Sequence, residues 1–197
     1  MRFFIALSPS ADVAAALARM QQTLAHTKAD VRWTDPHHFH VTVKFLGETD
    51  ERLLPEIQAR LTAAAAQVPV FPLEVEGVSR FPEKGPPRVI ISRIVSPDQR
   101  LTKLHRLIDS ALGGIGLPMD TRLLSPHVTL GRVSSNHGIN RLLRLIEKHD
   151  LDFFGAFEAA RVELFESLLG ETAPDRRYRV VHAASLVVPA SAGDAGT

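Results

Sequence analysis

The sequence predicts an α+β fold with an internal duplication, and three observations carry that prediction. A five-residue phrase occurs twice, as His40-Val41-Thr42-Val43-Lys44 and as His127-Val128-Thr129-Leu130-Gly131. Each copy lies between stretches with helical spacing, and each is accompanied by further alternating segments, so the chain reads as two halves of similar make-up. Strands and helices mix without the strict strand–helix alternation of a parallel sheet, which favours α+β over α/β.

Residues 2–7 are a short apolar run stopped by Ser8-Pro9-Ser10, the pattern of a buried strand. Ser10 caps a helix over about 11–27, whose stripe is Val13, Leu17, Met20 and Leu24. Val31-Arg32-Trp33 is a short extended piece, and Asp35-Pro36 turns the chain into strand 38–46, which Gly47 ends. Asp50 caps a second helix carrying Leu54, Ile57 and Leu61. Residues 70–80 and 88–95 alternate as strands, with the turn-rich loop Phe81-Pro82-Glu83-Lys84-Gly85-Pro86-Pro87 between them. A third helix covers about 98–113 through Leu101, Leu104, Ile108 and Leu112, broken by Gly113-Gly114 and Gly116. Ser125-Pro126 leads into strand 127–133, and Leu142, Leu143 and Ile146 mark a helix near 138–149. Strands near 156–166 and 177–188 complete one domain over 1–189, and residues 190–197 form a small, polar tail expected to fray.

Alternation with period two explains the repeated phrase. On a strand, His and Thr share one face and the two apolar residues share the other. The apolar pair anchors each segment in a core, so the imidazole and hydroxyl point to the opposite side. Two such strands together present two imidazoles and two hydroxyls to one space. A histidine of ordinary pKa, about 6.5, gives or takes a proton near neutrality. Two of them flanking a phosphorus act in one step, one taking a proton from the attacking water and one protonating the departing oxygen. Thr hydroxyls and an arginine hold the non-bridging oxygens.

The remaining composition bounds the class. The chain has 197 residues, 45% hydrophobic and 23% charged, which is enough apolar material for a sizeable core. A formal charge of +1 gives no global polybasic signal for duplex nucleic acid. The absence of cysteine excludes disulfides and thiolate chemistry and suits a cytoplasmic location. The opening apolar run is too short for a secretory leader, and no run approaches the ~18 residues of a membrane span.

Beyond the two phrases, the opening Met1-Arg2-Phe3-Phe4-Ile5-Ala6-Leu7, Arg32-Trp33, the continuation Phe45-Leu46-Gly47, Leu104-His105, Ser125-Pro126, Arg132-Val133 and Leu164-Phe165-Glu166-Ser167 with Tyr178 form a wider set. Over about 1–188 the chain resembles the 2H phosphoesterase superfamily, and within it the RNA 2′,3′-cyclic phosphodiesterases once called 2′-5′ RNA ligases. The resemblance implies a bilobal duplication, with two antiparallel sheets and outer helices around a central cleft. It implies metal-independent opening of 2′,3′-cyclic phosphates on RNA ends or small nucleotides to 2′-phosphates, with no cofactor; a monomer without a membrane partner is the accompanying expectation. Under it His40 is the general acid, His127 the general base, and Thr42 and Thr129 the phosphate-oxygen donors. Arg132 matches a phosphate-contacting arginine and Phe45 a base-stacking aromatic, each five residues after its histidine. Other reactions of the superfamily, on ADP-ribose cyclic phosphate or 2′-5′ oligonucleotides (ligation included), and a non-catalytic module for nucleotides or RNA ends, remain alternatives.

Two points depart from that pattern. Arg132 and Phe45 have the wrong parity to face with their histidines on a regular strand, so a bulge or strand end must redirect them. The link from Gly170 to Arg177 lacks a glycine close to Tyr178. Lys44, by contrast, has the parity of His40 and Thr42, and so is expected to contact phosphate. His37, His38 and His40 have no acidic or cysteine neighbour that would complete a metal site, so His37 and His38 read as solvent or loop groups. Trp33 beside its turn reads as a packing group, and His105 as a surface or capping group on its helix. His26, His137, His149 and His182 sit in no pattern. Arg80, Lys84 and Arg88 read either as solvated charges or as electrostatic guides for an RNA end, and Arg141 and Arg144 as the solvated face of a helix.

Overall fold

The computed structural model describes residues 1–168 and 178–188, so the link 170–177 and the tail 190–197 lie outside the described residues. The elements are β1 (Arg2–Leu7), α1 (Ala11–Ala25), β2 (Val31–Trp33), β3 (Val41–Glu48), α2 (Leu54–Ala65), β4 (Phe71–Phe81) and β5 (Val89–Val95). They continue as α3 (Arg100–Gly113), β6 (His127–Val133), α4 (Ile139–Lys148), β7 (Phe153–Ala159), β8 (Arg161–Ser167) and β9 (Tyr178–Ser185). Helix α1 starts where Ser10 Oγ accepts the Val13 amide, and its stripe Val13, Leu17, Met20 and Leu24 is buried. Asp50 caps a short 3₁₀ turn at Glu51–Leu53, accepting the Arg52 amide, and α2 follows from it. His37 and His38 likewise lie in a 3₁₀ turn, Pro36–His38, so the first motif strand starts later than alternation suggested.

The described strands form one hydrogen-bonded antiparallel sheet in the order β7-β4-β5-β6-β3-β1-β8-β9, with β2 added to β6. The two sheets expected from the resemblance are the halves of this one, β7-β4-β5-β6 and β3-β1-β8-β9. They meet at the two motif strands, which pair at one position, Val41 opposite Val128. That junction brings the two His-Thr copies side by side.

The duplication lies in the order β1-α1-β3-α2, repeated as β5-α3-β6-α4, with each motif strand third in its unit. The halves of the sheet are not the halves of the chain, however. The His40 half takes its outer strands β8 and β9 from the C-terminal end. The single strand expected near 156–166 is two strands, β7 and β8, at opposite sides of the sheet. Alternation runs through Ala160 without a Gly or Pro, so no turn signal marks the crossing.

The helices are exchanged between the halves. α1, which links β1 to β3, packs on β7 and α4, whereas α3, which links β5 to β6, packs on α2 and β3. The helix-facing side chains Phe3, Ile5, Leu7, Val41, Val43, Val128 and Leu130 belong to the core. Burial of this kind stabilises by about 1.5–3 kcal/mol per large side chain. The opposite face of the sheet is left to a cleft. Among the described residues no helix is long and apolar enough to cross a membrane.

Candidate active site

A β-bulge follows the threonine of each motif. On β3, Thr42 lies opposite Ala6 and Lys44 opposite Ile5, so Val43 is the extra residue. On β6, Thr129 lies opposite Ile91 and Gly131 opposite Ile90, so Leu130 is the extra residue. Directly opposed residues share a face, and a bulge reverses the parity of what comes after it. Phe45 therefore stands opposite Phe4, and Arg132 opposite Val89, on the face of the histidines. The same device in both copies brings the fifth residue after each histidine into the cleft. His40, Thr42, Phe45, His127, Thr129 and Arg132 all line one cavity of about 530 Å³.

The same bulge overturns the expectation for Lys44. It is turned to the helix side, where it is 2% exposed. Its Nζ donates to Asp109 Oδ1 at 2.6 Å and to the Pro118 carbonyl at 2.8 Å, with Asp120 Oδ1 at 3.5 Å. It is not a phosphate contact. His105 is also not a surface group: it is 8% exposed, with Nε2 3.0 Å from Asp120 Oδ2 in the same network.

Both motif histidines are held alike. His40 Nδ1–H donates to the His38 carbonyl at 2.7 Å, and His127 Nδ1–H donates to the Ser125 carbonyl at 2.7 Å. A carbonyl only accepts, so each neutral imidazole carries its proton on Nδ1 and keeps Nε2 as the free base. An aromatic ring abuts each: Phe4 against His40 at 4.9 Å and Phe81 edge-on to His127 at 5.1 Å between centroids. Tyr178 adds an edge to His40 at 5.5 Å and to His38 at 5.3 Å.

Burial among these rings pushes both histidines below the ordinary imidazole pKa, against the raising effect of their carbonyl partners. The charges of His127, His38 and Arg132 lower His40 further, and that of Arg132 lowers His127. The cleft is otherwise cationic. Arg2, Arg32 and Arg132 line it, and Arg32 stands directly opposite Arg132 between β2 and β6. Like charges so opposed repel, and among the described residues neither has an ion-pair partner. An anion between them relieves that repulsion. Asp35, also at the cleft, is engaged in capping the His37 amide at 2.9 Å.

Phe4, Phe81, Arg2 and His38 escaped the sequence reading as cleft residues. Strand β1 is apolar from Phe3 to Leu7, so its inner and outer faces read alike there; only Arg2 marked the cleft side. Trp33 does pack, with its ring and Val31 over Gly131, where an added Cβ would come within 2.9 Å of the ring. It also forms part of the cleft wall. Among the described residues no group of three or more His, Asp or Glu gathers as metal ligands.

A family model described as LigT-like phosphoesterase matches residues 7–91. An RNA 2′,3′-cyclic phosphodiesterase of Thermotoga maritima is 31% identical over 184 residues, 92% of this chain and 94% of that protein. The chain belongs to the LigT-like phosphoesterase family. An RNA 2′,3′-cyclic phosphodiesterase of Methanocaldococcus jannaschii is 30% identical to this LigT-like phosphoesterase, over 88% of the chain and 95% of the relative. The fold of TT0787 of Thermus thermophilus matches it with a TM-score of 0.79 at 24% identity, covering 96% of this chain and all of that one. LigT of E. coli, solved with 3′-AMP, matches with a TM-score of 0.70 at 19% identity, over 94% and 98% of the two chains. As a LigT-like phosphoesterase, the chain is an enzyme, a cyclic phosphodiesterase.

Proposed function

We propose that this enzyme hydrolyses 2′,3′-cyclic phosphates at RNA ends to 2′-phosphates by two-histidine acid–base catalysis, without a metal. The observation that carries the reading is the matched pair of imidazoles, each oriented through Nδ1 by a backbone carbonyl and each lining one cationic cleft. The names of the relatives from Thermotoga and Methanocaldococcus support the substrate class.

In the proposed step His127 Nε2 takes a proton from water as its oxygen bonds to phosphorus. The bond from phosphorus to the 3′ oxygen breaks, and His40 supplies that oxygen with a proton from Nε2. The 2′ oxygen keeps the phosphate. Thr42 and Thr129 donate to the non-bridging oxygens, and Arg132 balances the charge gathering there. Phe45, 71% exposed at the cavity, stacks on the terminal base. A 5′ hydroxyl in the place of water, attacking in the same sense, gives a 2′-5′ linkage.

The test is incubation with a nucleoside 2′,3′-cyclic phosphate in the presence of EDTA, with the product read by phosphorus NMR. A 2′-phosphate is expected. A 3′-phosphate exchanges the roles of the two histidines, loss of activity with chelator defeats the metal-independent step, and no turnover by folded protein defeats the reading.

A further inference from the structure

Away from the cleft, two adjoining grooves of about 420 and 450 Å³ lie between the C-terminal end of α1 and α4, sharing Thr27, Arg141 and Arg144 in their walls. Lys148 lines one and Lys28 the other. Arg141, Arg144 and Lys148 recur along the exposed face of α4, opposite its buried Leu142 and Ile146. Among the described residues none of these four cations has an ion-pair partner. Asp30, Glu147, Asp150 and Asp152 are the nearby carboxylates in sequence, and none lines the grooves. In a chain of net charge +1 this is a local concentration of positive charge.

One short stretch of chain, Lys28 to Arg32, connects the grooves to the cleft wall. Asp30 joins the two loops, its amide donating to the His137 carbonyl at 3.1 Å and its carbonyl accepting from Ser134 at 2.8 Å. Gly138 fits against Ala29, where an added Cβ would come within 2.9 Å of the Ala29 Cα, so Lys28 is fixed relative to α4. From Lys28 the chain runs through β2 to Arg32 on the cleft wall. Four residues of extended chain span at most about 14 Å. A line of unpaired cations thus leads from Arg132 and Arg32 to Lys28, Arg141, Arg144 and Lys148.

We propose that this line is a track for the phosphate backbone of single-stranded RNA, so that the enzyme holds the RNA body as well as its cyclic end. The inference rests on the RNA reading above. Cations spaced along a groove suit a polyanion, and contacts of this kind recognise backbone rather than sequence. Four such contacts predict a log–log salt slope of about −2.8, roughly a 50-fold loss of affinity between 50 and 200 mM salt.

The experiment compares wild type with the triple variant Arg141→Ala, Arg144→Ala, Lys148→Ala, with thermal unfolding to check that the variant folds. Binding of an oligoribonucleotide ending in a 2′-phosphate is followed by fluorescence anisotropy against salt. The ratio of kcat/KM for the cyclic-ended oligonucleotide to that for a nucleoside 2′,3′-cyclic phosphate is measured in parallel. The expected result is a salt slope shallower by about 2 and a fall of more than tenfold in that ratio. An unchanged slope and ratio overturns the track. So does unchanged RNA binding with loss of binding to anionic phospholipid vesicles, which reassigns the surface to a membrane. Failure to turn over any cyclic-ended substrate defeats the RNA reading instead, and anisotropy then decides the track alone.

Discussion

Lys44 and Asp109 form a buried ion pair behind the first motif strand, 2.6 Å between Nζ and Oδ1. Asp109 Oδ1 also accepts the Asp120 amide at 3.0 Å, and Lys44 reaches the Pro118 carbonyl. The pair therefore ties the strand that follows His40 to the loop that leads to His127. Removing one partner strands a buried charge, so Lys44→Ala is expected to cost about 3–5 kcal/mol of stability. Lys44→Met combined with Asp109→Asn leaves no charge of the pair unmatched and is expected to cost much less. Urea unfolding measures both, and a Lys44→Ala loss below about 1 kcal/mol, the level of an exposed pair, contradicts the account.

Asp109 also sets an acid limit. Burial pushes its carboxyl up, but the bond from Lys44, the Asp120 amide and the charges of Lys44 and His105 prevail and hold it below the ordinary range. A carboxylate lowered in the folded state contributes stability above its unfolded pKa, about 3.9, and that contribution is lost as pH falls through the folded value. Asp109→Asn should flatten the fall of stability on acidification below about pH 4. Parallel wild-type and variant curves there exclude this role.

Burial lowers the pKa of both motif histidines, so the bell-shaped dependence of kcat/KM should centre below the ordinary imidazole value of about 6.5. A bound phosphodiester anion favours imidazolium, and the kcat profile should lie at higher pH than that of kcat/KM. Arg132→Gln removes a charge that lowers both histidines, so the kcat/KM bell should move upward as activity drops. A downward move contradicts the assignment of Arg132 to this electrostatic role.

His40→Ala and His127→Ala should each lower kcat by about 10²–10⁴-fold, the usual contribution of a positioned acid or base. Because the two act in one step, the double variant should be far less impaired than the product of the single losses. Strictly multiplicative losses would separate the histidines into independent roles.

Phe45 is expected to act in binding. Phe45→Ala should forfeit about 1–3 kcal/mol of stacking, raising KM while kcat changes little. A loss confined to kcat would place the ring in the chemistry instead.

Most of the elements were legible because caps and apolar stripes mark them, Ser10 with Val13, Leu17 and Leu24 being the clearest case. Strand β6 was legible to its ends at His127 and Val133. The need for a redirecting bulge was legible too, since Phe45 and Arg132 had the wrong parity. Its position was not, because a bulge at Val43 or Leu130 leaves the apolar pattern intact. Lys44 misled for the same reason: parity alone put it in the cleft, and its partners Asp109 and Asp120 are remote in sequence. Arg2 and Phe4 became cleft residues only through pairing of β1 with β3 and β8, a relation that spans the whole chain.

The strand order dictates when a newly made chain becomes competent. The strands of the His127 half, β4 to β7, are contiguous, and all have been synthesised by residue 159. The His40 half waits for β8 and β9, which supply Phe165 beside Phe4 and Tyr178 against His40. A ribosome-bound chain that has just completed its second motif thus holds both histidines but not the packing that sets the first. In this order the packing around His40 is complete only once the last strand has been made.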